Sequence, residues 1–328
     1  RRVRGAAHFR RGSAVMTTQA VKRARLGPST FYTTLACPYA HRAMLALELR
    51  PVPVEREYIT TTNQFITIDK LGLPRGDALG MWTARGAVVS ELHSRKDAFT
   101  REINPSGEVP ALVLGCGTVL VESEIVCEYV DAVSTRTSTA RLIPTDPVAA
   151  ARVWLAVKRF NAVPPAIVAL LKNQDETRDE ALTKALDAAI EKFVASLDED
   201  EGAAAACSFG QHGCSLADVH AAPFVFRFDA VLFHYRGYRM IERHPRLGTL
   251  LRAVEALPEW RNVLEPTDGS YPAVTTDRLI ALYATYASGG AGAPWSDGPD
   301  GPVLAGRGAV VMSVLESAQP MLESAQPK

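Results

Sequence analysis

Three residue pairs in the first 123 positions have types and spacing that could do chemistry together: Cys37-Pro38, Val109-Pro110 and Glu122-Ser123. Cys37 follows Phe31-Tyr32-Thr33-Thr34-Leu35, an aromatic and β-branched run suited to a strand. It directly precedes Pro38, and proline is favoured at the first position of a helix, where its missing N–H costs nothing. The spacing predicts a strand–turn–helix unit with Cys37 at the N-cap. There the sulfur faces backbone N–H groups that lack intrahelical partners, at the positive end of the helix dipole. Both favour thiolate over thiol, so the expectation is a lowered pKa and a nucleophile. The bland alternative is an inert buried thiol. Position 40 is Ala, so the segment reads Cys-Pro-Tyr-Ala and holds no adjacent resolving thiol. A thiolate that attacks disulfides here needs a second reductant to finish each cycle, and a small thiol such as glutathione is the natural candidate.

Val109-Pro110 and Glu122-Ser123 supply what a thiol ligand would need. A proline opening a strand cannot donate a ladder hydrogen bond. It is tolerated there if the bond is cis and the backbone of Val109 is used elsewhere, as by an extended peptide lying beside Cys37. Glu122-Ser123 falls at a strand-to-helix junction. The Ser hydroxyl and the first N–H groups of the helix make either a carboxylate site or a plain helix cap. Cys116, Cys127, Cys207 and Cys214 are expected to be structural. His212, His220, His234 and His244 lack metal-ligand spacing, so no metal site is expected, and there is no GxGxxG or GxxxxGK phosphate loop.

The elements that must position these groups follow from periodicity. Helical spacing of apolar residues runs from Pro38 to Arg50, stopped by Pro51-Val52-Pro53. Val54–Ile59 alternates as a strand. Val109–Leu114 and Thr118–Val121 read as strands about a Gly115-Cys116-Gly117 turn, and Glu122–Val133 reads as a helix. The order βαβ, a long connection, then ββα is the plan of an α/β thioredoxin-like domain over residues 29–134. The connection carries an insertion at about 60–96, broken by Gly72, Pro74, Gly76, Gly80 and Gly86, in which Trp82 and Val88-Val89 could form a small hairpin; it reads as a surface insertion or a functional loop. Residues 147–287 carry helical periodicity at 148–163, 176–197, 215–233 and 245–257 and read as an all-α C-terminal helical bundle, with 135–146 as the linker.

The chain has 328 residues with 36 basic and 36 acidic side chains. Zero net charge gives no field favouring nucleic acid or an anionic membrane. No run of 18 apolar residues appears, and five sparse cysteines argue against a secreted disulfide scaffold. The expectation is a two-domain cytoplasmic protein with no nucleic-acid partner and no stable membrane insertion. Residues 1–28 are Arg-rich and acid-free, which fits either an organelle transit segment or translated sequence upstream of Met16. Residues 288–328, rich in Gly, Pro and Ser and ending in a repeated LESAQP, read as a flexible tail.

In order along the chain, FYTTLACPYAHR, INPSGEVPALV and VLVESEIVCEYVD resemble the cytosolic glutathione transferases. They are most similar to the omega class and its cysteine-type relatives, the lambda and dehydroascorbate reductase classes. The resemblance covers about Ser29 to Leu264, and its three motifs are specific only together. It implies that Cys37 is the catalytic thiol and that glutathione is a co-substrate. The Val109 backbone, before a cis Pro110, would pair with the glutathione cysteinyl group, and Glu122 and Ser123 would bind the γ-glutamyl end. Lys96, eight residues before Asn104, matches the glutathione-contacting Lys of the omega pattern. CSLADV at 214–219 matches the family's capping box, a folding element. The implied activity is glutathione-dependent thiol transfer or reduction, through a Cys37–glutathione mixed disulfide, on a small electrophilic or disulfide acceptor such as dehydroascorbate. Conjugation to aromatic electrophiles should be weak. Trp154, Arg159, Phe160, Phe224, Phe228 and Tyr235 are candidates for the acceptor pocket, or else core. A homodimer follows from the resemblance alone. Two rival readings are a non-catalytic interaction module of the same fold and a relative of the chloride-channel-like proteins, against which the lack of an apolar segment near 38–60 argues.

Overall fold

The computed structural model describes residues 28–34, 37–59, 89–136, 140–198, 213–265, 274–287, 289, 295–298 and 301–304. Four strands form one mixed sheet: β1 (Ser29–Thr33), β2 (Val54–Tyr58), β3 (Ala111–Val113) and β4 (Val119–Val121), in the order β2-β1-β3-β4. β1 pairs with β2 in parallel, with Phe31 opposite Arg56, and antiparallel with β3, with Phe31 opposite Leu112. β3 pairs antiparallel with β4. The parallel pair is joined by α1 (Pro38–Leu49), and the antiparallel pair by the glycine turn before α3 (Ser123–Val133). This is the thioredoxin-like plan.

α1 is buried almost all round, with only Tyr39 exposed and Glu48 partly so. A helix with burial on every side needs cover on every side. The sheet and α3 supply one half of it, and the helical C-terminal region supplies the other. α1 ends at Arg50, the residue before Pro51, where the α conformation is disfavoured.

α2 (Val89–Glu102) corrects the reading of the long connection. Its last stretch is a helix, so Lys96 lies on a helix and Val89 belongs to that helix instead of a hairpin. The sequence VSELHSRKDAFTRE carries few apolar residues, and Phe99 alone is buried among the side chains described, so periodicity gave no stripe to find. Trp82, Val88 and the remainder of the insertion lie outside the described residues, as do positions 1–27 and Cys207.

Among the described residues from Pro147 to Ala287, the regular elements are all helices. The α-helices are α4 (Pro147–Phe160), α5 (Val163–Lys172), α6 (Asp179–Asp198), α7 (Leu216–Arg236), α8 (Met240–Arg243), α9 (Pro245–Glu255), α10 (Pro258–Leu264) and α11 (Thr276–Ala287). The helical stretches read from periodicity did not include α5, α8, α10 or α11; α8 and α10 are short, and prolines stand at the start of α5 and α10. By length and composition alone, Pro147–Lys172 could cross a membrane. In the structure it is two helices broken at Asn161-Ala162, with Val153, Val157, Phe160, Ile167 and Leu171 in the core. α7 is the central helix. Ser215 accepts from the Asp218 backbone N–H while Asp218 accepts from the Ser215 N–H and hydroxyl at 2.9 and 2.6 Å, the expected capping box. Gly237, at φ 64°, ends the helix in the left-handed conformation that glycine adopts freely. The tail is not wholly irregular, because β5 (Trp295–Gly298) and β6 (Gly301–Leu304) pair as an antiparallel hairpin. A lone hairpin of this length is only marginally stable in water.

Two carboxylates join the halves. Asp131 at the end of α3 accepts from the Leu142 and Ile143 N–H groups at 2.8 and 3.2 Å and pairs with Arg50 and Arg141, which fixes the linker. Glu124 at the start of α3 meets the His220 ring at 3.7 Å, Asn161 at 2.6 Å and Lys158 at 3.3 Å. These three neighbours hold its carboxyl down at about 2. A carboxyl depressed by folding contributes stability that is present above the unfolded value of about 4.3 and is lost as pH falls towards 2. Because Glu124 keeps a share of water, the contribution is about 1 kcal/mol. Glu124→Gln should therefore lose about that much stability at pH 7 and unfold with a shallower dependence on pH between 4.5 and 2, measured by urea titration across that range.

Candidate active site

The turn from β1 into α1 puts Cys37 at the N-cap with extended backbone (φ −86°, ψ 121°), as the Cys-Pro spacing predicts. Its thiol is half-buried and donates to the Val109 carbonyl at 3.7 Å. The Val109–Pro110 bond is cis. Beneath the pair lies a small apolar cluster of Ala40, Ile59, Phe99, Val109 and Ala111, which seats Cys37 against β3. The expected fall in the thiol pKa is not what the site produces. Burial pushes the thiol up, and the backbone N–H groups of Ala40 and Tyr39, with the charges of Arg227 and Arg42, offset only part of that rise. Helix position alone reckons without desolvation, which is the larger effect here.

The turn before Val109 is built by Asn104. Its side-chain oxygen accepts from the Ser106 N–H and hydroxyl, and its amide donates to the Glu108 carbonyl at 2.8 Å. Lys96 folds onto this turn, its amine donating to the Gly107 carbonyl. Burial lowers the amine pKa. Gly107, at φ 68°, adopts a conformation that favours glycine, and a Cβ there would lie 2.9 Å from that amine and make it shift. Lys96 thus holds the turn at Gly107, two positions before Val109 in the chain, with its charge beside Glu108.

Glu122 and Ser123 sit at the start of α3. Neither serves as a plain cap. Glu122 occupies the N-cap with φ 68° and ψ 124° and makes no capping bond. It is exposed, while Ser123 is buried and accepts from Arg42 Nη1 at 3.5 Å. A positive φ in a residue with a Cβ is strained and clusters at ligand clamps. Glu122 and Glu108 both bear on Tyr39, one of the first residues of α1, as does the Cys37 thiol. The structure therefore brings Cys37, Val109, Pro110, Glu122 and Ser123 around the N-terminus of α1, with Lys96 behind the Val109 strand.

Sequence reasoning missed what the helical region adds. Arg42 and Arg227 are both buried, at 1% and 0% exposure. Arg42 donates to the His220 carbonyl at 2.9 Å and lies over the Phe224 and Tyr39 rings. Arg227 meets His41 Nδ1 at 2.6 Å and donates to the Pro223 carbonyl at 3.1 Å. Tyr283 of α11 faces both Arg227 and Cys37. The acceptor-pocket candidates divide. Phe160, Phe224, Phe228 and Tyr235 are core, whereas Trp154 and Arg159 are half-buried. Of the core four, Phe224 and Phe228 approach the site, through Tyr39 at 5.0 Å and Tyr283 at 4.8 Å. Cys127 and Cys214 are buried, and burial pushes the Cys127 thiol up to about 12. Cys116 departs from the structural expectation because it is exposed on the β3–β4 turn. Among the described residues, no group of three or more His, Cys, Asp or Glu could hold a metal.

Residues 36–133 match the model of the glutathione S-transferase N-terminal domain. Glutathione S-transferase omega-1 of Mus musculus is 28% identical over 147 residues, 45% of this chain. The chain is thus similar to the glutathione transferases, over residues 36–133 to their N-terminal domain and along more of its length to omega-class relatives. The mouse alignment spans 58% of that protein's length. Glutathione S-transferase omega-1 of Sus scrofa is 24% identical over 238 residues, 72% of this chain and 81% of that one. The crystal structure of glutathione transferase Omega 3C from Trametes versicolor superposes with a TM-score of 0.55 at 20% identity, over 82% of this chain and 94% of that one. That likeness speaks for the fold. The strain at Glu122 can be isolated. Glu122→Gly should raise stability by about 1 kcal/mol, since glycine takes a positive φ without clash, and urea unfolding at pH 7 would show it.

Proposed function

We propose that this chain is a glutathione-dependent thiol transferase and reductase that works through Cys37. The observation that carries the reading is the Cys37 thiol at the N-cap of α1, 3.7 Å from the carbonyl of Val109 before a cis proline. Glutathione is the co-substrate. Its cysteinyl backbone pairs with Val109 alongside Pro110. Its γ-glutamyl end meets Ser123, the Glu122 carboxylate and the first N–H groups of α3, and Lys96 lies beside the turn that presents Val109. The names of the omega-class relatives support the glutathione part of this reading.

The chemistry is two displacements. The Cys37 thiolate attacks the glutathionyl sulfur of a mixed disulfide. The S–S bond breaks, the acceptor leaves as its thiolate, and Cys37 is left bonded to glutathione. A second glutathione thiolate then attacks that glutathionyl sulfur, releasing the Cys37 thiolate and oxidised glutathione. With dehydroascorbate, Cys37 adds to a carbonyl carbon. Glutathione attacks the Cys37 sulfur and the electron pair leaves with ascorbate, after which the same resolving step follows. Two glutathione molecules supply the two electrons.

Cys37→Ser should abolish glutathione-dependent reduction of a small mixed disulfide and of dehydroascorbate, by at least about a hundredfold, because a hydroxyl cannot form the mixed disulfide. A folded wild type without either activity would remove the reductase reading in favour of a non-catalytic module.

We also propose a homodimer. Ile125 on α3 and Val148 and Leu155 on α4 are large apolar residues left exposed, at 47%, 61% and 41%. The Lys158–Glu124 bond joins the two helices that carry them. Exposed apolar groups on adjoining helices mark an interface. The wild type should sediment as a dimer, and Leu155→Glu with Ile125→Glu as a monomer.

A further inference from the structure

We propose that Arg42 is a positioning residue for glutathione: it turns the Ser123 hydroxyl into a donor for the γ-glutamyl carboxylate. The inference rests on the reading of Ser123 as part of the glutathione site. Ser123 opens α3 and is buried, at 5% exposure. Among the described residues its hydroxyl makes one hydrogen bond, accepted from Arg42 Nη1 at 3.5 Å. A guanidinium can only donate, whereas a hydroxyl has one O–H and two lone pairs. The contact with Arg42 therefore occupies a lone pair and leaves the O–H to be given elsewhere. A buried donor without an acceptor is costly. The first N–H groups of α3 lie beside it, and Glu122 at the N-cap makes no bond to them. Donors of this kind, at the positive end of a helix dipole, suit a carboxylate.

The guanidinium is fixed in place for this task. Its Nε donates to the His220 carbonyl of α7 at 2.9 Å. Its central carbon lies 4.6 Å from the centre of the Phe224 ring and 4.9 Å from that of Tyr39. The side chain is 1% exposed, so these contacts keep Nη1 turned toward Ser123. Nη2 makes no hydrogen bond, so the protein by itself leaves one donor of this buried cation unmet. Glu124, the next residue of α3, also bears on Arg42. Its carboxylate is engaged by Asn161 at 2.6 Å, Lys158 at 3.3 Å and the His220 ring at 3.7 Å. Burial lowers the Arg42 pKa to about 10, which leaves it charged at neutral pH. A charged donor into Oγ polarises the hydroxyl and strengthens its onward bond, the more so away from water. Arg42 thus acts on the carboxylate through Ser123, and the Glu122 carboxylate takes the amine of the same γ-glutamyl end.

The test is the binding of S-methylglutathione at pH 7, measured by isothermal titration calorimetry. This ligand has no free thiol, so binding is read without turnover. Wild type, Arg42→Met, Ser123→Ala and the double variant are compared, with folding checked by circular dichroism. Each single substitution should weaken binding by about tenfold. The double variant should bind no more than about twofold more weakly than Ser123→Ala, because the arginine acts through the hydroxyl. A merely structural role would cost the same in both backgrounds. Arg42→Lys keeps a cation and a donor, and should recover part of the affinity lost in Arg42→Met. If Arg42→Met does not fold, Arg42→Lys decides. It should weaken binding by about threefold when Ser123 is present and not in the Ser123→Ala background, because an ammonium lacks the fork that reaches His220 and Ser123 together. Unchanged binding in the folded Arg42 variant, or an equal loss with and without the Ser123 hydroxyl, would overturn the proposal. A folded wild type that does not bind S-methylglutathione would remove the glutathione site itself, and the positioning role with it. Activity retained in Cys37→Ser would sink the thiol mechanism and leave this binding result standing.

Discussion

Two arginines cross the boundary between the sheet domain and the helices in opposite directions, and the geometry of the site depends on that exchange. Arg42 leaves α1 and donates to the His220 carbonyl of α7; Arg227 leaves α7 and meets His41 of α1. Burying a guanidinium is costly unless its donors are met. Here backbone carbonyls, a serine hydroxyl, an imidazole nitrogen and the faces of Tyr39 and Phe224 offset part of that cost, while Arg42 Nη2 makes no hydrogen bond. Burial draws the Arg42 pKa down to about 10, still charged at neutral pH. Because both arginines attach within the first two turns of α1, the start of that helix cannot shift without disturbing α7. The N-terminus that presents Cys37 is set by the helical region as much as by the sheet.

The remaining contacts hold the same frame from its edges. Asp131 gathers the linker backbone and Arg50 at the far end of α3, while Glu124 ties the near end to α4 and α7. Asn104 closes the turn that leads to Val109. Each of these polar groups fixes one approach to a single point, the gap between α1, Val109 and the start of α3. The apolar cluster of Phe99, Ile59 and Ala111 fills the space beneath it. A ligand there would meet backbone and side chains whose positions are already determined, which lowers the cost of binding.

The sheet side of this site was legible because its chemistry is local. Cys-Pro sets an N-cap, Val-Pro opens a strand, and Glu-Ser begins a helix; each is a statement about neighbours in sequence. What was not legible is carried by contacts across long separations. Arg227 lies 186 positions from His41, and nothing in its helix marks it as different from a surface arginine. Tyr283 sits on α11, where Thr276–Ala287 was read only as part of the bundle. α2 was hidden for another reason. Its face is covered by Lys96 and other charged residues, and a helix with Phe99 as its described buried anchor has no stripe for periodicity to detect. The left-handed conformation of Glu122 could not be anticipated at all, since only glycine advertises a positive φ in sequence.

The clearest departure from the sequence, the upward shift of the Cys37 thiol, explains why the helix start is not enough. In the resting arrangement the thiol donates to the Val109 carbonyl, a contact that suits S–H and opposes S⁻. Ionisation removes that donor and leaves the sulfur facing an oxygen that repels it. The groups that favour the anion are the Tyr39 and Ala40 N–H groups, beside it, and the two buried guanidiniums. Desolvation strengthens both sides of this balance, since a low-dielectric surround penalises a lone thiolate and amplifies the attraction of a nearby cation. A thiol built this way keeps its proton while the Val109 carbonyl accepts from it. The Val109 carbonyl, the helix start and the helical region thus act on one group, the first favouring the thiol and the others the anion.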